Sequence, residues 1–289
     1  MYQNILQSAM KNAEDKAVFV EGDRYEPYFK DMPDLKVIVC GKCGKKKEVI
    51  PCIYRRDGTR RFPLGEPVKV ACLCDCEADS IRKSERARAD SILIKQKKMD
   101  CWGYEGTDGA IRRNTGLEQT TLSSYKTEDN IYIKTVKRYL NTLSERIQEG
   151  KGLFLCGSPG SGKTYASVCL ANALMDRLFD VRFINFWEVS TMDRYSNNYK
   201  TKLDEWSSIP FLFIDDFDLK KLDKNTDARI FPLLDTRIKR GVPTIITSNS
   251  PKEKLYEPCS EEIKQITDRI IQSCYIIEGD SHNYRRENE

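Results

Sequence analysis

The residues Gly157-Ser158-Pro159-Gly160-Ser161-Gly162-Lys163-Thr164 carry the spacing G-x-x-x-x-G-K-T. These residue types at this spacing hold phosphate. Glycines admit positive φ, so successive backbone N–H groups can close around phosphate oxygens. A helix beginning at the end of the loop adds about half a positive charge beneath the same anion. Lys163 can reach the β- and γ-phosphates, and Thr164 offers a hydroxyl to Mg²⁺, an ion that keeps most of its waters. An apolar run ahead of the loop reads as a buried strand, and an apolar helical pattern follows it. That is the strand–loop–helix context a phosphate-binding loop requires. The candidate nucleotide contacts are these eight residues and Tyr165.

A second chemical feature is Phe211-Leu-Phe-Ile-Asp215-Asp216-Phe217, four apolar residues ending in two carboxylates. A buried strand has no need of carboxylates at its end. Asp215 is placed to hold Mg²⁺ through water, and Asp216 to orient or deprotonate the attacking water. One apolar run later, Asn249 ends Pro243-Thr-Ile-Ile-Thr-Ser-Asn249 and offers an amide for positioning that water. Asn is also a common turn former. Arg269 lies in a helical pattern with Ile263, Ile266 and Ile270, and Arg285 lies near the last residue. A surface ion pair is the ordinary role of a single arginine. The order of these two after Asn249 favours a role in the site.

Cysteines supply a third chemistry. Cys40-Gly-Lys-Cys43-Gly44 is a tight knuckle, and Cys72-Leu-Cys74-Asp-Cys76 follows about thirty residues on. Two thiolates from one turn can share one tetrahedral zinc ion. The preferred ligands are Cys40, Cys43, Cys74 and Cys76. Cys72 could replace either of the last two, and Cys52 is a weaker candidate. The single histidine, His282, is far away in sequence, so the site should be all-thiolate and structural. Between the clusters, Arg55 to Arg61 read as a β-hairpin with a polar tip.

The elements that position these groups divide the chain into four parts. Residues 1–36 begin with a short amphipathic helix reaching about Ala17, then an irregular, acidic segment around Val18-Phe19-Val20. This part either packs on the next module or docks a partner. Residues 37–80 form the zinc module, a unit with so little core that metal must supply its folding energy. Residues 81–110 form a linker helix with seven basic and three acidic residues between 81 and 100, followed by a glycine-punctuated boundary near 100–110. Residues 111–289 hold one helix over 130–149 and then alternating strands and helices, including a helix to about Phe179 and a strand over 181–187. The alternation predicts an α/β fold, a parallel sheet flanked by helices, with ligands at the carboxyl ends of the strands. The formal charge over 289 residues is only +4, so any nucleic-acid face must be local. No run approaches the roughly 18 apolar residues of a membrane span. Met1-Tyr2-Gln3-Asn4 lacks the order of a signal peptide, which points to a cytoplasmic protein with reduced or metal-bound cysteines.

Residues from about 115 to 286 resemble the AAA+ ATPases of the DnaC/DnaI helicase-loader group and the related IstB transposition ATPases. The resemblance rests on GSPGSGKT, FLFIDDF, PTIITSN, Asp268-Arg269-Ile270 and the closing Tyr284-Arg285. It implies an AAA+ P-loop fold that binds ATP and Mg²⁺ between adjacent subunits. Arg269 would then reach a neighbour's γ-phosphate, and Arg285 would contact nucleotide in its own subunit. The cysteine module resembles the zinc-binding, helicase-contacting region of bacterial and phage loaders. A helical lid after Asn249 is nearly absent, which fits the loaders' minimal lid. Residues 195–206 fall where this group carries an extra helix associated with single-stranded DNA. There Tyr199, Lys200, Lys202 and Trp206 could supply stacking and phosphate contacts, or form a solvated helix with Trp206 in the core. The implied function is ATP-dependent loading of a replicative DnaB-type helicase onto single-stranded DNA, by self-assembling subunits with no membrane. An IstB-type ATPase that coats duplex DNA is the alternative. A non-enzymatic adaptor is disfavoured by the intact Asp215, Asp216 and Asn249, and a P-loop kinase by the two arginines.

Overall fold

The computed structural model describes residues 16–20, 38–45, 47–54, 60–61, 70–71, 74–105, 111–113, 115–124, 130–219, 222, 224–257 and 261–279. Arg285, Cys72 and all but the last residues of the helix expected from Met1 to about Ala17 lie outside them. The chain divides into two compact units, Met1–Ala89 and Asp90–Glu289.

In the first unit, β1 (Lys16–Val20) pairs antiparallel with β2 (Glu48–Tyr54). Strand β2 also pairs with β3 (Arg60–Arg61) and β4 (Val70–Ala71). Val18-Phe19-Val20 is therefore strand, where an irregular segment was expected, and a helix cannot extend to Ala17. Three apolar residues carry no readable period, and their partner lies some thirty residues downstream. The pairing of β2 with β3 gives the expected hairpin.

Helix α1 (Asp75–Trp102) begins in the first unit and ends in the second. The division falls within this helix, earlier than the glycine-rich stretch at 100–110 suggests. Cys101 and Trp102 close the helix and are buried in the core of the second unit. The glycine-rich stretch itself contains a short hairpin, β5 (Gly103–Glu105) with β6 (Ile111–Arg113), and then α2 (Thr115–Glu118).

The remaining elements run α3 (Ile131–Asn141), α4 (Leu143–Glu149), β7 (Gly152–Cys156), α5 (Lys163–Met175), β8 (Val181–Asn185), α6 (Phe186–Thr191), α7 (Asn197–Ser208), β9 (Phe211–Asp215), α8 (Lys224–Arg240), β10 (Thr244–Ser248), α9 (Glu253–Tyr256), α10 (Glu261–Ser273) and β11 (Cys274–Glu278). The five long strands form one parallel sheet in the order β11-β7-β10-β9-β8. Strands β7, β9 and β10 are buried along their whole length, as expected of parallel strands covered on both faces. Alternate residues feed two cores. Leu153, Leu155, Phe213 and Ile245 pack on the face covered by α3 and α5, whereas Phe154, Leu212, Ile214 and Ile246 face the other side.

Three boundaries differ from the sequence expectation, each for a local reason. The helix expected over 130–149 breaks at Thr142, whose hydroxyl donates to the Arg138 carbonyl at 3.1 Å and whose backbone leaves the helical region. Strand β8 stops at Asn185 because that side chain accepts the Trp187 N–H at 2.8 Å and caps α6. Helix α5 stops at Met175, and Leu178 then turns the chain with φ 69°.

Candidate functional site

The phosphate loop leaves β7, an inner strand with β11 on one side and β10, β9 and β8 on the other. Gly157, Gly160 and Gly162 have φ of 139°, 84° and 96°, a region that side-chain-bearing residues seldom enter. Lys163 opens α5 and is buried. Its ammonium donates to the carbonyls of Gly157 and Ser158 at 3.0 and 2.8 Å and to Ser161 Oγ at 3.3 Å. The cation is thus held within the loop. Tyr165 points its hydroxyl toward the turn at 121–124, 2.9 Å from Ser124 Oγ.

Two carboxylates close β9. Asp215 Oδ1 accepts the Thr164 hydroxyl at 3.0 Å, so the hydroxyl and carboxylate expected to hold Mg²⁺ converge. It also accepts the Thr247 hydroxyl from β10. Burial pushes the Asp215 carboxyl above the ordinary aspartate range and the nearby Asp216 adds to this, while the two hydroxyls oppose it. A buried carboxylate beside a threonine hydroxyl is a donor set suited to a hard divalent cation. Asp216 has φ 54°, and its backbone N–H donates to Thr247 Oγ1 at 3.1 Å. This turn lifts the second carboxylate out of the strand. Asn249 Nδ2 donates to Asp216 Oδ1 at 3.4 Å. Asp216 and Asn249 line a cavity of about 410 Å³, together with Asn185, Trp187, Ser190 and Pro251.

Thr247 lies within PTIITSN, but the motif reading gives it no role, although its hydroxyl links the Asp215 carboxylate to the Asp216 backbone N–H. A threonine in an apolar strand reads as a β-former, and only the register of β10 beside β9 brings it to Asp215. Asn130 was also missed. It caps α3 and donates from Nδ2 to the Ser161 carbonyl of the loop at 2.9 Å. Its position ahead of an apolar helical pattern is a legible cap signal.

Arg269 does not join these groups within the subunit. Its Nε donates to Asp235 Oδ1 at 2.9 Å, and its guanidinium lies over the Phe231 ring. The hydrogen bonds from Lys239 and Arg269 hold the Asp235 carboxyl below its ordinary value.

The helix α7 resolves the open reading of residues 195–206. Trp206 is 1% exposed and Tyr199 6%. The Tyr199 hydroxyl donates to the Arg229 carbonyl at 3.0 Å. Neither ring is available for stacking, because both face the core shared with α8. Lys202 pairs with Glu188 at 2.9 Å. The exposed aromatics of this region are instead Trp187, 66% exposed, and Tyr195, 76% exposed, with the Arg194 guanidinium over the Tyr195 ring.

In the first unit, the Sγ atoms of Cys40, Cys43, Cys74 and Cys76 all lie within 4.8 Å of one another. Cys76 Sγ is 3.1, 3.5 and 3.6 Å from those of Cys74, Cys40 and Cys43. Tetrahedral zinc with Zn–S bonds of about 2.3 Å places its sulfurs about 3.8 Å apart, so the four thiols fit that ion. Backbone N–H groups of Cys43 and Lys42 hold the Cys40 thiol down at about 6, whereas the hydrogen bond to Cys76 pushes the Cys74 thiol up to about 12, so without an ion the cluster shares protons among its sulfurs. The Cys74 carbonyl accepts the N–H of Ala78 at 2.9 Å and starts α1. Lys45 and Lys47 pair with Asp75 and Glu77 across the same corner. Cys52 lies in β2 opposite Val18.

A phosphate loop after an inner strand, paired carboxylates after a second strand and a polar amide after the strand between them define a P-loop ATPase of the AAA+ class. The sequence family described as IstB-like ATP binding protein matches residues 113–289. That is more than half of the chain, and the chain belongs to this family. It is 25% identical over 144 residues to an ATP-binding protein in an insertion sequence of Mycobacterium tuberculosis (strain ATCC 25618 / H37Rv). That match covers 48% of this chain and 57% of the relative, so the chain spans little more than half the length of that protein. Among solved structures, DnaI is similar at 26% identity and a TM-score of 0.50, over 57% of this chain and 94% of that one. The DnaC helicase loader shares the fold at 20% identity and a TM-score of 0.50, over 57% of this chain and 99% of that one. Among the described residues, no helix is long and apolar enough to cross a membrane.

Within this class the chain's own groups divide the work of ATP hydrolysis. Bound Mg²⁺ supplies charge neutralisation of the phosphates. The loop amides and Lys163 are placed to bind and orient phosphate oxygens, and Thr164 and Asp215 would hold the cation. Asp216 and Asn249 face the cavity, where they would orient an approaching water.

Proposed function

We propose that this chain is an ATP-dependent loader of a replicative DnaB-type helicase onto single-stranded DNA. The observation that carries the reading is a four-thiol cluster ahead of an ATPase domain similar to DnaI over nearly the whole of that structure. The cluster holds Zn²⁺ and folds the unit that grips the helicase. The ATPase units assemble with one another in the cytoplasm. Arg269 leaves Asp235 and completes the nucleotide site of a neighbour, and Arg285 contacts the nucleotide of its own subunit. Trp187 and Tyr195 offer exposed rings on which bases of single-stranded DNA can stack. ATP turnover then releases the loader, and it stays slow until a neighbour supplies Arg269.

A second reading is a transposition ATPase that coats duplex DNA. It draws on the family match and on the relative in an insertion sequence. The test is size-exclusion chromatography of the full chain with a DnaB-type helicase, ATP and Mg²⁺, repeated with a Cys40→Ser/Cys74→Ser variant. The loader reading expects a complex that the variant fails to form. No complex, with filaments on duplex DNA, would establish the second reading.

A further inference from the structure

The first turn of α3 holds the phosphate loop at two points, and neither contact belongs to a recognised motif. Asn130 accepts the N–H groups of Tyr132 and Ile133 at 2.9 and 3.3 Å, capping the helix. The same side chain donates to the Ser161 carbonyl. Two residues on, Tyr132 is 1% exposed. Its hydroxyl donates to the Cys156 carbonyl at 2.5 Å, immediately ahead of the loop. It accepts the Gly279 N–H at 2.9 Å, at the end of β11, the strand whose continuation carries Arg285. Ser161 Oγ lies 3.5 Å from the same phenol and 3.3 Å from Lys163 Nζ. The backbone is shaped around the ring. A Cβ on Gly157 would stand 2.6 Å from the Tyr132 hydroxyl, and one on Gly279 would collide with the ring itself.

We propose that Asn130 and Tyr132 are positioning residues for nucleotide binding, fixing the loop at its start and its middle and tying it to the end of β11. The physical need is clear. Glycine-rich backbone loses the most conformational freedom on ordering, and a cradle that is ordered beforehand spares the ligand that cost. A buried phenol with both hydrogen-bonding functions used, and a cap amide with its donor on the loop, supply the order. Both residues act through the loop and touch no nucleotide. The inference rests on the loop's binding nucleotide, not on the loader role.

The experiment uses the full chain and a fluorescent ATP analogue with Mg²⁺, at a temperature well below every melting point. A purely architectural role then leaves affinity unchanged. Tyr132→Phe keeps the ring and removes the hydroxyl. Asn130→Ser keeps a capping oxygen but loses the donor to Ser161, whereas Asn130→Ala loses both. All three are expected to weaken nucleotide binding about three- to tenfold, the worth of a hydrogen bond. Of the two Asn130 variants, only Asn130→Ala is expected to lower the nucleotide-free melting temperature by several degrees. Wild-type affinity in Tyr132→Phe and Asn130→Ser would overturn the proposal. An affinity loss confined to Asn130→Ala would overturn it too, since capping alone would explain that result. Wild-type protein that bound no nucleotide would remove the reading of the loop, and the brace with it.

Discussion

Asp215 sits at the end of a strand whose other side chains are all apolar and buried. Its charge is therefore costly until a cation arrives, and its carboxyl titrates above the ordinary aspartate range. For an acid whose folded pKa is raised, the stability it contributes is complete below the unfolded value near 4 and is lost as pH rises through the folded value. Asp215→Asn should then raise the melting temperature of the nucleotide-free protein at neutral pH by a few degrees, on the scale of about 1 kcal/mol, while abolishing turnover. Melting curves across the carboxylate range should converge for the two proteins as pH falls. A variant less stable than wild type at neutral pH would contradict the account. Asp216 stands differently. Its positive φ is tolerated by Asn as well as Asp, so Asp216→Asn should keep the turn and the fold. Turnover should fall about a hundredfold or more, the usual share of a group that orients or deprotonates water. Steady-state ATPase assays at saturating ATP measure it.

At the scale of elements, residues 186–208 show what a sequence can and cannot carry. The P-loop, the carboxylate pair and Asn249 were legible because their chemistry restricts residue type at fixed spacing, and the strands around them form continuous apolar runs. Aromatic residues carry no such restriction. Trp187 and Trp206 look alike in the sequence, yet one is exposed and the other packs in the core. The difference is made by α8. Its fully buried Arg237 donates to the carbonyls of Trp206, Ile209 and Pro243 at 2.6, 2.9 and 2.5 Å and fixes the end of α7 against the sheet. Burial pulls that guanidinium down to about 9, and nothing in the sequence marks it among 48 basic residues. The same long-range dependence hid β1 and Thr247, whose partners lie far along the chain. The corrected assignment separates two substitutions. Trp206→Ala should cost about 3–5 kcal/mol of stability. Trp187→Ala and Tyr195→Ala should leave melting unchanged and weaken binding of single-stranded oligonucleotides by about 1–3 kcal/mol per ring. Fluorescence anisotropy with labelled oligonucleotides decides it. Unchanged affinity in both exposed-ring variants would remove this surface from the DNA-binding reading.

For the whole molecule, the open question is how one chain's site depends on another chain. Asp235 holds Arg269 in the free subunit, and the resemblance to loaders assigns Arg269 to the neighbour's nucleotide. The two roles can be told apart by mixing. Lys163→Ala cannot bind phosphate productively but keeps its Arg269, whereas Arg269→Ala keeps a complete loop and carboxylate pair. Each variant alone should hydrolyse ATP very slowly. An interface between the loop of an Arg269→Ala subunit and the arginine of a Lys163→Ala subunit has every group required. If Arg269 acts across the interface, mixing the two variants should restore a substantial fraction of wild-type turnover, rising with protein concentration as subunits assemble. If Arg269 acts only within its own subunit, no interface in the mixture is complete and the rate stays at the sum of the two variants. Full wild-type turnover in Arg269→Ala alone would assign this arginine to the Asp235 ion pair and to nothing else. Nucleotide binding by Arg269→Ala, measured in the same preparations, should match wild type, because the loop that holds the phosphates is unchanged.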